Sequence, residues 1–81
     1  MIDPKKLSAA IRAIQDIIIQ ARLMAYQQES FEKLAVLLDH AEYLPGLMLE
    51  EDDRTQNFAD YLAQIGRQFP KCQYAVERFH E

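Results

Sequence analysis

Residues 4 to 27 constrain the fold more than any other stretch, because apolar side chains recur there on two sides of one helix. Asp3-Pro4 marks its start: an N-cap residue is followed by proline at the first helical position, where the missing N–H costs nothing. Leu7, Ala10, Ile11, Ile14, Ile18, Ala21 and Ala25 then recur at three- and four-residue spacing and read as the core face of a helix running to about Gln27. Arg12 and Asp16 form an i,i+4 pair on the other side. Ile19, Leu23 and Tyr26 fall opposite the main stripe, beside Ser8 and Arg22. A helix apolar all round is normally a buried one. In a short chain it must either cross the centre of the domain or meet a second copy along one side.

The chain is short enough to make that choice matter. Its 81 residues form one domain, 1–81. A domain of this size buries only about 60–65% of the surface its unfolded chain exposes, so its core needs a supplement. One cysteine, Cys72, allows no internal disulfide, and two histidines do not make a structural zinc site. Oligomerisation is the remaining supplement. The longest apolar run, Ile17-Ile18-Ile19, is far short of the roughly 20 residues a bilayer needs. The apolar stretch after Lys5 and Lys6 is broken by Arg12 and Asp16, unlike a secretory signal. A cytoplasmic protein is expected.

Beyond the first helix, the punctuation is regular. Gln27-Gln28-Glu29-Ser30 is a polar break, with Ser30 as N-cap and Glu29 and Glu32 suited to the positive end of the next helix dipole. A second helix spans about 31–44, with Phe31, Leu34, Ala35, Leu37, Leu38 and Ala41 facing the first, so the pair forms an antiparallel hairpin. Leu44-Pro45-Gly46 ends or kinks it, leaving Leu47, Met48 and Leu49 as an apolar plug. Asp53 with Gln56 resembles a capping box, and Thr55 is an alternative cap. The third helix, about 54–69, carries Phe58, Tyr61, Leu62, Ile65 and Phe69 on one stripe. Phe69-Pro70 stops it, and Pro70 opens a short helix, about 71–80, in which Cys72, Ala75, Val76 and Phe79 share a face. The expected fold is all-α, three to four helices, with a long antiparallel hairpin packed against a third helix and a short C-terminal one.

The net charge of −4 is concentrated in one place. Residues 1–34 hold five basic and four acidic groups and residues 54–81 four and three, so each flank is at +1. Residues 35–53 contain Asp39, Glu42, Glu50, Glu51, Asp52 and Asp53 with no Lys or Arg. This distribution argues against a nucleic-acid surface, which needs clustered cations to displace counterions from phosphates.

No chemistry-bearing motif stands out. Counted from Asp53, the sixth and twelfth positions are Phe58 and Gln64, and from Glu50 they are Thr55 and Tyr61, so no calcium loop is present. A di-iron bundle needs Glu-x-x-His pairs on facing helices. Glu77 precedes His80 at that spacing, but the residue three before His40 is Leu37. No metal or cofactor is expected. Cys72 on an apolar face reads as a buried, inert thiol, and His40 reads as a helix-end histidine beside Asp39, Glu42 and Tyr43. No recognised spacing joins Cys72, Ser8, Ser30 or Thr55 to His40 or His80, so no catalytic residue is assigned. Gly46 and Gly66 belong to no phosphate-binding loop. Tyr61 belongs to the core stripe, whereas Tyr26, Tyr43 and Tyr74 remain for contact.

Three functions are compatible with these features. The first is a helical protein–protein interaction or regulatory module, self-associating as a homodimer through Ile19, Leu23 and Tyr26. The second is an immunity- or inhibitor-type protein that meets a basic toxin or enzyme through Asp39, Glu42, Tyr43, Glu50, Glu51, Asp52 and Asp53, drawn by electrostatic steering. The third is an enzyme or small-ligand binder with a pocket between helices near Pro45 and Met48.

Overall fold

The computed structural model describes residues 4–50 and 55–81, and of Leu49, Glu50, Thr55 and Gln56 the backbone alone. Within them the chain is all-α. Helix α1 spans Pro4–Tyr26, α2 Phe31–Glu50 and α3 Thr55–Gln68; a 3-10 turn at Pro70–Cys72 leads into α4, Gln73–Phe79. The Asp3 cap, the Asp53 capping box and Glu51, Asp52 and Asp53 lie outside the described residues, as does the Glu50 side chain.

Helices α1 and α2 form the expected antiparallel hairpin. Their turn closes by a mechanism that no glycine announced: Gln28 sits at φ 56°, its N–H donating to the Ala25 carbonyl at 3.1 Å while the Glu29 N–H reaches the Met24 carbonyl at 3.0 Å. This pair of bonds is a Schellman closure with glutamine in the left-handed position usually given to glycine. Ser30 then precedes α2, and its carbonyl accepts from the Leu34 N–H at 3.1 Å.

The second helix does not stop at Leu44-Pro45-Gly46. It runs on to Glu50 with Pro45 inside it. An internal proline costs about 3 kcal/mol relative to alanine, but continuing the helix buries Leu44 and Met48 completely or nearly so and packs Leu47 against the core. Burying each such side chain contributes about 1.5–3 kcal/mol, which outweighs the proline. The apolar plug thus lies in the last turn of α2.

Each helix touches two others: α1 packs on α2 and α4, and α3 packs on α2 and α4. The core follows from this four-cornered arrangement. Phe58, Leu62, Ile65 and Phe69 of the third segment and Cys72, Ala75 and Val76 of the fourth are buried, with Tyr61 and Phe79 packed against them, as their spacing indicated. In α1 the buried face is instead Ala10, Ala13, Ile17, Ala21 and Met24. Three of these five are alanine, which lets two neighbouring helices approach α1 at once. The helix is therefore turned by about one residue from the expected face, and Leu7, Ile11 and Ile18 look outward.

Gly66 serves close approach in the same way. A Cβ there would stand 2.7 Å from Gln73 Oε1 and 2.8 Å from Val76 Cγ2, so glycine is what allows α4 to lie against α3.

Candidate functional site

The outer side of the α1–α2 hairpin carries the largest departure from ordinary surface chemistry. On α1, Leu7, Ile11 and Ile18 are 41, 60 and 50% exposed, and on α2, Phe31 and Leu38 are 82 and 45% exposed. Spacings of four and seven along α1, and of seven along α2, put each set on one helix face. Isolated exposed apolar residues are common, whereas five large ones spaced along two adjoining helices make this face the candidate contact surface. Sequence reasoning placed all five in the core. Size is a partial signal only: Ala10, Ala13 and Ala21 fill three of the buried α1 positions, but Ile17 is buried and Ile18 exposed, so residue type alone does not separate them.

The face first suspected, Ile19, Leu23 and Tyr26, is less uniform. Ile19 is half-buried, while Leu23 is 42% and Tyr26 75% exposed. Asp39, Glu42 and Tyr43 are exposed on α2. Tyr43 is not wholly free, since its ring lies 4.9 Å from that of Tyr61. Tyr74 is engaged inside the domain, its hydroxyl donating to the Asp16 carbonyl at 3.1 Å.

His40 proves to be a link between helices and not a helix-end residue, because α2 continues for ten residues beyond it. Its Nδ1 lies 2.7 Å from the Tyr61 hydroxyl and its Nε2 3.0 Å from Gln68 Oε1. The amide oxygen can only accept, so Nε2 donates to it, and in the neutral tautomer this leaves Nδ1 to accept from the Tyr61 hydroxyl. Burial, then Tyr43 and the Asp39 carboxylate, hold the Tyr61 phenol above its ordinary 10.0, which keeps the donor protonated. These bonds fasten α2 to α3. Cys72 is completely buried, and burial pushes its thiol up to about 11, which leaves it a packing group.

Asp16 is a second residue whose setting differs from the sequence reading. It does not pair with Arg12 on an outer face; it is buried and accepts from Arg78 Nη1 of α4 at 3.1 Å through Oδ1. Its Oδ2 has no partner. Turning α1 toward α4 brings this carboxylate inside.

Two clefts are lined by described residues, and Pro45 and Met48 line neither of them. One, about 460 Å³, has a floor of Met24, Val36, Phe69 and Pro70 and a rim of Glu29, Glu32, Lys33 and Lys71. Across its edge Lys71 Nζ donates to Gln27 Oε1 at 3.0 Å and to Glu29 Oε1 at 3.4 Å, tying the α3–α4 corner to the α1–α2 turn. The other, about 640 Å³, lies between the start of α1 and the end of α4. Among the described residues no three His, Cys, Asp or Glu side chains stand together to hold a metal ion, and no helix is long and apolar enough to cross a membrane. No family model matches the chain, and no similarity to a curated protein or a solved structure was found.

Proposed function

We propose that the chain is a protein–protein interaction module that works as a homodimer, with the outer face of the α1–α2 hairpin as its seam and with no catalytic role. The observation that carries this reading is the exposed apolar set Leu7, Ile11, Ile18, Phe31 and Leu38 on two adjoining helices. A second copy is the occupant that size and composition favour. The core is small, with five of its sixteen buried apolar side chains alanine, and neither a disulfide nor a metal cluster among the described residues reinforces it. Helices of 23 and 20 residues lying side by side present a face of about 30 by 20 Å, or about 600 Å² before side-chain relief is counted. A stable interface uses about 800 Å² per partner, so the hairpin face is of the right size. Packed on its own image, it places two antiparallel hairpins face to face as a four-helix layer.

The test replaces Ile11 and Ile18 together by glutamate and measures mass by light scattering during size-exclusion chromatography. The parent chain is expected to run as a dimer and the Ile11→Glu/Ile18→Glu variant as a monomer of 9.5 kDa, with helicity retained because both positions are exposed. A parent chain that is monomeric at the highest concentration loaded, or a variant that still dimerises, refutes the reading.

A further inference from the structure

We propose, resting on self-association through the hairpin face, that Arg22 of one copy pairs with Glu42 of the other and so fixes how the two copies align. Arg22 lies four residues beyond Ile18 on α1, and Glu42 four beyond Leu38 on α2. Both are exposed, so each continues the apolar stripe of its own helix. The other exposed charges of these helices stand off the stripes. Lys6, Arg12, Glu32 and Asp39 are next in sequence to Leu7, Ile11, Phe31 and Leu38, which turns them about 100° round the helix from those residues. Lys5 and Lys33, two positions from Leu7 and Phe31, are turned further still. Among the described residues the face therefore holds one cation, on α1, and one anion, on α2.

Within one chain the two do not meet. Arg22 is four residues short of the end of α1 at Tyr26, and Glu42 is eleven past the start of α2 at Phe31. At the helical rise this sets them about 10 Å apart along the antiparallel hairpin, on helices whose axes are about 8–10 Å apart. Neither takes part in a hydrogen bond or ion pair among the described residues. Such a face is complementary to itself. A two-fold axis lying in the face between the two residues brings Arg22 of each copy toward Glu42 of the other, so the contact is made twice. An apolar seam that closes over an unpaired guanidinium or carboxylate leaves a desolvated charge. Alignments that keep the two apart, or that set like charges together, are disfavoured for that reason. The apolar stripes supply contact area without direction, and the two charges select one alignment.

A charge exchange between copies tests it. The parent, the Arg22→Glu chain, the Glu42→Arg chain and an equimolar mixture of the two variants are compared by light scattering during size-exclusion chromatography, with circular dichroism recorded for each. Both positions are exposed, so helicity should be retained. Each variant alone sets like charges together at both contacts and is expected to associate about tenfold more weakly than the parent. In the mixed dimer both contacts join opposite charges again, so the mixture is expected to associate as tightly as the parent. Single variants that associate as the parent does, or a mixture that associates no better than its components, overturn the pairing. If the parent is then a dimer and the Ile11→Glu/Ile18→Glu chain a monomer, the hairpin face still stands as the seam and only the pairing falls. A monomeric parent overturns both.

Discussion

Gly66 and Gly46 are the same residue type in helices, yet they predict opposite outcomes. A Cβ at Gly66 would meet Gln73 and Val76 inside 3 Å, whereas one at Gly46 meets nothing within 4 Å, and neither glycine has a positive φ. Gly46→Ala should therefore stabilise the protein by about 1 kcal/mol, the difference in helix propensity. Gly66→Ala should destabilise it by about 1–3 kcal/mol, because α3 and α4 must separate. Urea denaturation of both variants checks the pair, and equal shifts would mean that the two helices do not approach so closely. Cys72 makes a prediction in pH. Its folded value of about 11 lies above the ordinary 9.0, so below pH 9 both states hold the proton and the stabilisation is complete. As pH rises from 9 toward 11 the unfolded chain loses the proton first, and stability falls. Tyr61 and Tyr74 are also raised from 10.0 and act in the same direction. Cys72→Ala should lessen the fall between pH 9 and 11 in urea midpoints; an unchanged fall would show that the thiol is not buried in solution.

The elements themselves were largely legible. Pro4 and Ser30 mark two of the four α-helix starts and Pro70 the 3-10 turn that leads into α4, and the stripes of α3 and α4 are on the side their spacing indicated. Two features were not legible, for physical reasons. Proline and glycine at positions 45 and 46 are local signals for a stop, and only the tertiary burial of Leu44 and Met48 overrides them. The orientation of α1 also depends on its neighbours: Ala10 and Ala21 belong to the expected stripe, whereas Ala13, Ile17 and Met24 are buried because both α2 and α4 pack on the helix. Because Pro45 is exposed within a continuous helix, Pro45→Ala should raise stability by up to about 3 kcal/mol. A denaturation midpoint that does not move would mean that the helix is interrupted there after all.

At the scale of the whole molecule, a part-buried ion pair joins the first helix to the last. Asp16 of α1 and Arg78 of α4 are 62 positions apart in sequence and 3.1 Å apart in space. Arg78→Met removes the partner of Asp16 Oδ1 beside an Oδ2 that already has none, and should cost about 1.5–3 kcal/mol, the range for a hydrogen bond to a charged group. Asp16→Leu in the same chain should recover much of that loss, since an apolar pair of similar volume replaces a half-satisfied ionic one. Additive losses in the double variant would contradict the contact. The candidate site was legible only in part: the sequence pointed to a second apolar side on α1, but its residues differ, because the face is set by how α1 turns between α2 and α4. Whether α1 meets a second copy, and along which side, is the central question. Isotope-filtered nuclear Overhauser spectroscopy on a mixture of labelled and unlabelled chains answers it directly. Self-association through the hairpin face predicts intermolecular cross-peaks from the methyls of Ile11, Ile18 and Leu38, and none from Leu62 or Ile65. Absence of intermolecular cross-peaks, or cross-peaks confined to Ile19, Leu23 and Tyr26, would contradict it.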